Sequence, residues 1–187
     1  MGRAHQAIAT SARGIALETA RLRLEPVSTS HTEAIYQAVV ESRAELLPWM
    51  PWAREPKPDL HTLQQGWVDG RYLNFAMVDK AAMQVLGVVG LNIERQHVAE
   101  LHYWIRTSHA GRGLTTEAGL ALIAWARESL GIARLTLWAG TENHASRRVA
   151  EKLGFVHVGP LSWRPEGGLG DFPAERYELL LTSGPRE

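Results

Sequence analysis

The stretch VAELHYWIRTSHAGRGLTT, residues 98–116, decides how the rest of the chain is read. Its first eight residues, 98–105, are mostly aliphatic and aromatic and read as a strand. Gly111 and Gly113 mark a turn, and beyond it Leu114, Ala118, Ala121, Leu122 and Trp125 recur at helical spacing. A strand therefore feeds a glycine turn that opens a long helix, 114–130, with Gly131 as its stop. Glycine lets a backbone approach a ligand, and the first N–H groups of a helix have no partner inside it. Together they suit an anion such as a pyrophosphate, and Arg112 adds a positive side chain. An ordinary tight turn is the plainer reading of the same residues. The usual nucleotide motifs are incomplete: a dinucleotide fingerprint wants a third glycine where Thr116 stands, and the Gly-Lys-Ser/Thr ending of a Walker loop is missing.

Upstream, Arg21 to Glu25 alternates charged and apolar residues, as a half-buried strand does. Ser28 and Ser30 offer caps for a helix over 31–47 with Ile35, Ala38, Val39 and Leu46 on its apolar face. Pro48 and Pro51 end it, and three prolines in 51–58 stiffen the loop that follows. Asp59 can cap a second helix, 59–71, carrying Leu63, Trp67 and Val68. Strand-like runs at 73–78, 85–93 and 98–105 are separated by short turns, which predicts antiparallel hairpins. Downstream, 134–139 is a strand, and Asn143 caps a helix that ends at Gly154 with apolar Phe155 behind it. Strands at 155–163 and 175–181 flank a glycine-rich turn, 167–171. The expected fold is one mixed α/β (α+β) domain over 19–182, with about seven strands in a central sheet and about four helices, flanked by tails at 1–18 and 183–187.

A chain of 187 residues is sized for one domain, and 45% hydrophobic with 21% charged residues is a globular balance. Lys plus Arg and Asp plus Glu both total 20, so there is no basic excess of the kind a broad nucleic-acid surface carries, and no nucleic-acid partner is expected. The absence of cysteine excludes disulfides, thiolate metal sites and a cysteine nucleophile. His97, His102 and His109 match no usual ligand spacing, so no metal is expected. Apolar runs such as 85–91 are far shorter than the roughly 20 residues a spanning helix needs, so no membrane contact is expected. Residues 1–17 lack the apolar stretch of an export signal and read as a loose tail of a cytoplasmic protein.

Leu101 to Ile105 followed by Gly111-Arg112-Gly113-Leu114-Thr115-Thr116-Glu117-Ala118 resembles the acetyl-CoA-binding core of the GNAT N-acetyltransferase superfamily. The run from Asn143 to Phe155 is similar to that superfamily's second signature, NxxSxxxxEKLGF. Arg21-Leu22-Arg23-Leu24 and Leu47-Pro48-Trp49-Met50-Pro51-Trp52 resemble the RimJ/RimL branch, whose members acetylate ribosomal-protein N-termini. The resemblance spans about residues 19–181 and implies the GNAT fold, acetyl-CoA as cofactor and a primary amine as acceptor. It implies that backbone groups of Tyr103, Trp104 and Ile105 pair with the pantetheine arm. The N–H groups of Gly111, Arg112, Gly113, Leu114 and Thr115 would hold the pyrophosphate, with Asn143 reaching the cofactor and Ser146 near the thioester sulfur. The family pattern Gln/Arg-x-x-Gly-x-Gly/Ala begins here with Ala110 and ends with Thr115.

The implied reaction must take a proton from the amine and give one to the leaving thiolate. Glu100 and His102 share a strand face and are the candidates for the first task; a solvated glutamate and a packed histidine are the plainer readings. Ser146 is the candidate for the second, since none of the four tyrosines follows the second signature where many relatives carry one; a capping role within its helix is the alternative. Glu166 could bind the acceptor or simply be a loop residue. Trp49, Met50 and Trp52 could wall the acceptor site or form a satellite core. The acceptor is expected to be a protein N-terminal amine. A small-molecule or antibiotic acetyltransferase, or a non-catalytic acyl-CoA-binding module, remain alternatives, and a homodimer is plausible from the apolar loop near Trp49 and the C-terminal strands.

Overall fold

The fold is built on the three consecutive strands that the turns at 80–84 and 95–97 join. The structure, a computed structural model, describes residues 15–54, 70–160 and 173–181. The expected helix at 59–71 lies almost wholly outside these residues, as do Glu166, the 167–171 turn and most of both tails. Strands β3 (Tyr72–Asp79), β4 (Val85–Arg95) and β5 (Val98–Ile105) form an antiparallel meander. Asp79 closes the first turn by accepting the N–H groups of Ala81 and Ala82. Strands β1 (Leu17–Glu18) and β2 (Leu22–Pro26) extend the sheet on one side. On the other side come β6 (Arg134–Gly140), β8 (Ala174–Leu180) and β7 (Val156–Pro160). The order is β1-β2-β3-β4-β5-β6-β8-β7, eight strands among the described residues. The sheet thus starts at Leu17, two residues ahead of the expected domain boundary, because Leu17 and Glu18 pair with Leu24 and Arg23. Two residues are too few for alternation to reveal.

Alternation along the strands sends side chains to two cores. Leu73, Phe75, Val89, Leu91 and Leu101 pack against α3 (Leu114–Leu130), whose Ala118, Leu122 and Trp125 face them. Ala76, Val78, Val88 and Trp104 pack on the other face against Ile35, Ala38 and Val39 of α1 (Thr32–Glu41). The continuous 31–47 helix expected from periodicity is interrupted at Ser42, and α2 (Arg43–Leu46) follows as a separate turn. Ser42 is fully buried, and its hydroxyl accepts the N–H of Thr107 just after β5. That bond ties the break between the two helices to the segment that follows β5. The helix α4 (His144–Lys152) starts as the sequence predicts, with Asn143 Oδ1 accepting the N–H of Ser146 at 3.0 Å. It lies close to α3: a Cβ on Gly119 would sit 2.8 Å from a Leu153 methyl, so any side chain there would push that leucine aside.

Candidate active site

The only parallel pairing in the described sheet positions the site. Strands β5 and β6 pair at just three places, Val98 with Arg134, Ala99 with Leu135 and Glu100 with Thr136. Beyond Glu100 the two strands run on to Ile105 and Gly140 without pairing. The sheet therefore splits, and the β6-facing edge of Leu101 to Ile105 has no strand to bond among the described residues. A cavity of about 50 Å³ occupies the split, walled by His102, Tyr103, Trp138, Asn143 and Ser146 and capped by Trp49 and Met50. A larger cleft of about 500 Å³ lies alongside, lined by Tyr72, Asn92, Glu94, Thr136 and Arg176. Glu100, Leu137 and Trp138 line both, so Glu100 stands at the junction.

The two faces of β5 present different chemistry to the split. Tyr103 points to the α4 side, where its hydroxyl donates to the Ser146 carbonyl at 3.1 Å and lies 2.9 Å from Ser146 Oγ. Burial pushes the Tyr103 phenol well above its ordinary value, so it keeps its proton at neutral pH. Glu100 and His102 are on the opposite face. Burial raises the Glu100 carboxyl pKa, and the nearby charge of Glu94 adds to this; N–H groups of Asn92 and Trp138 oppose it without reversing it. The Asn92 bond is long, 3.4 Å. His102 Nε2 lies 2.6 Å from Asn74 Oδ1, and its Nδ1 is buried without a partner. Burial holds this imidazole down to about 4, so it is neutral at pH 7.

At the far end of β5 the chain passes through Thr107–His109 into the glycine turn. Gly111 and Gly113 both have positive φ, 75° and 76°, a conformation that favours glycine. Thr115 is buried, which keeps its branched Cβ off the turn's outer surface. Arg112 donates to the Ser108 carbonyl. Arg21, just ahead of β2, reaches across: its Nε bonds Glu117 at 2.7 Å and its Nη1 bonds the Arg112 carbonyl at 3.0 Å. Two arginines and the leading N–H groups of a long helix converge there, a set that fits a pyrophosphate.

A family model described as the acetyltransferase (GNAT) domain matches residues 21–156. The chain belongs to this family. It is a GNAT N-acetyltransferase that uses acetyl-CoA. Among curated relatives, the ribosomal-protein-serine acetyltransferase of Escherichia coli is 29% identical over 147 residues, covering 75% of this chain and 82% of the relative. Among solved structures, a RimL ribosomal L7/L12 α-N-protein acetyltransferase in complex with coenzyme A superposes with a TM-score of 0.77 at 20% identity, covering 91% of this chain and all of that one. Mycobacterium smegmatis RimJ in complex with CoA-disulfide gives a TM-score of 0.77 at 19% identity, covering 90% and 88%.

In this GNAT domain the sequence-predicted residues fall into three groups. Glu100, His102, Tyr103, Asn143, Ser146, Trp49 and Met50 meet around the split. Gly111 to Thr115 form the turn at the start of α3, joined to the split by the unpaired edge of β5. Trp52 lies outside the cavity wall and packs on Trp104, ring centroids 6.0 Å apart. The other two histidines sit elsewhere: His97 bonds the Gly131 carbonyl and His109 bonds Ser108. Sequence reasoning assigned Tyr103 only a backbone role and missed its hydroxyl. The available signal was parity, since Tyr103 lies on the strand face opposite Glu100 and His102. It also missed Arg21 at the glycine turn and Asn74 beside His102.

Proposed function

We propose that this GNAT enzyme acetylates the N-terminal amine of a protein, with acetyl-CoA bound along β5 and the acceptor approaching from the larger cleft. The observation that carries the reading is Glu100 at the junction of the two cavities, with its pKa raised by burial. A carboxylate so placed takes the proton from the incoming ammonium, and the amine nitrogen then attacks the thioester carbonyl. The new C–N bond forms as the C–S bond breaks, and the leaving thiolate receives a proton from the Ser146–Tyr103 hydroxyl pair. The attack is direct, and no enzyme side chain forms a covalent intermediate. The free edge of Tyr103 to Ile105 would hold the pantetheine arm, and the N–H groups of Gly111 to Thr115 with the Arg112 side chain would hold the pyrophosphate. Trp49 and Met50 shield the reacting centre from water.

The protein-amine acceptor is supported by the curated relative that acts on ribosomal-protein serine, and by a cleft of about 500 Å³, roomy enough for the first residues of a peptide. An acceptor of that class would meet the enzyme in the cytoplasm. The test is calorimetry with acetyl-CoA, followed by mass spectrometry of a peptide with a free N-terminal serine after incubation with both. Micromolar acetyl-CoA binding that Gly113→Glu abolishes, with acetyl appearing on the terminal amine, is expected. Binding without transfer to any peptide or small amine would instead establish a coenzyme-binding module.

A further inference from the structure

The strand register places three residues in one row across the sheet. Asn74 of β3 is opposite Gly90 of β4, and Gly90 is opposite His102 of β5. The side chains of Asn74 and His102 meet over Gly90, with Nε2 and Oδ1 2.6 Å apart. The missing side chain is what allows this. A Cβ on Gly90 would fall 2.4 Å from Asn74 Oδ1 and 2.7 Å from His102 Nε2. Glycine in a strand interior weakens the strand and marks a place where something approaches closely. Here the approach is a buried hydrogen bond between two polar side chains.

That bond fixes the imidazole's chemistry. A carbonyl oxygen only accepts, so Nε2 carries the hydrogen and Nδ1 is left with a bare lone pair. Nδ1 is buried and has no hydrogen-bond partner, although buried polar atoms are almost always paired. The same residue lines the cavity in the β5–β6 split. Glu100 lies two positions along the same strand face, roughly 7 Å away. The acceptor ammonium must lose one proton and still point its lone pair at the thioester. One carboxylate can take the proton but cannot also aim the nitrogen.

We propose that His102 Nδ1 accepts an N–H of the acceptor amine and orients it for attack, with Asn74 and Gly90 as positioning residues that hold the imidazole in the required tautomer. This rests on the acetyltransferase reading and adds a division of labour: Glu100 removes the proton and His102 aims the nitrogen. A neutral acceptor suits that task, since an imidazolium would repel the ammonium and have no lone pair to offer.

Two replacements separate this role from simple packing. Asparagine places its amide near the Nδ1 position and can keep an acceptor there; glutamine reaches the Nε2 position and can keep the bond to Asn74. The proposal expects His102→Asn to retain kcat/KM for an N-terminal-serine peptide within roughly tenfold of the parent, and His102→Gln to lose roughly a hundredfold, with acetyl-CoA affinity unchanged in both. The reverse order, with glutamine the better replacement, overturns it. Nitrogen-15 NMR of the unsubstituted protein is an independent check. Expected is an Nε2–H imidazole whose Nδ1 resonance moves when the peptide joins the CoA complex; an Nδ1–H tautomer, or no movement with peptide bound, overturns the proposal. Calorimetry on the same sample separates the two readings. A protein that binds neither acetyl-CoA nor peptide sinks both, whereas binding of both without the His102 effects sinks this one alone.

Discussion

The hydroxyls of Tyr103 and Ser146 lie 2.9 Å apart, although 43 residues separate them in the chain. Tyr103 comes from the splayed end of β5 and Ser146 from α4 after β6, so the pair spans the opening where the strands part. The pair therefore joins the expected seat of the pantetheine arm to the helix that the second family signature begins. The tyrosine beside the serine comes from β5, not from the stretch that follows the second signature.

If the two hydroxyls act as one relay, their losses do not add. Ser146→Ala and Tyr103→Phe should each lower kcat by roughly tenfold to a hundredfold, and the double variant should be no worse than the weaker single. KM for acetyl-CoA should stay within about threefold, because the phosphate turn is untouched. Steady-state kinetics on the three variants decides this. Multiplicative losses would mean that the two groups act separately.

The glycine turn proposed to hold the pyrophosphate carries its own charge balance. Glu117 stands in the first turn of α3, where a carboxylate would repel an incoming pyrophosphate. Thr19 and Arg21 engage it, and although burial pushes its pKa up, their hydrogen bonds outweigh this and hold it below the ordinary range. Arg21→Gln removes a cation and uncovers that charge, so acetyl-CoA affinity should fall by roughly tenfold. Adding Glu117→Gln should restore part of the loss. Calorimetric titration of both variants measures it, and a double variant weaker than the single would show that the carboxylate has no such effect.

Much of this arrangement was legible in the sequence because it is local. The strand, glycine turn and helix over 98–130 lie in consecutive residues, and so do Asn143, its helix and Gly154, which are recognised by spacing and capping chemistry. What sequence could not show depends on register or on contacts between distant elements. Ser42, where the helix breaks, accepts the N–H of Thr107, 65 residues away. The row of Asn74, Gly90 and His102 exists only once two hairpins fix their alignment. Arg21 reads as one member of an alternating strand until the fold lays it over the turn before α3.

As the proposed base, Glu100 is expected to set a pH limb. Its carboxyl titrates above the usual glutamate value because burial disfavours the charged form. A base must be ionised to act, so kcat/KM for the acceptor should rise with pH through that raised pKa before levelling or rising further as the amine itself deprotonates. Glu100→Gln should remove the lower limb and reduce the rate by roughly a hundredfold at neutral pH, with acetyl-CoA binding intact. A pH–rate profile of the variant that keeps the same limb would assign it to another group.

His102 sets a pH dependence of stability with the opposite sign. Its pKa is held down to about 4 in the fold, against 6.5 for an ordinary histidine. Above pH 6.5 the ring is neutral in both the folded and unfolded chain, and the histidine imposes no cost. As pH falls below 6.5 the unfolded chain takes up a proton that the folded one refuses, so stability drops until pH reaches the folded value. One full proton corresponds to about 1.4 kcal/mol per pH unit, and since the unfolded ring is only half protonated at pH 6.5, about 1.5 kcal/mol should be lost between pH 6.5 and pH 5 through this residue. His102→Asn cannot titrate and should flatten that part of the curve. Urea unfolding of the parent and the variant at pH 7 and pH 5 checks it: equal losses in the two proteins would place the acid sensitivity elsewhere and the imidazole in contact with water.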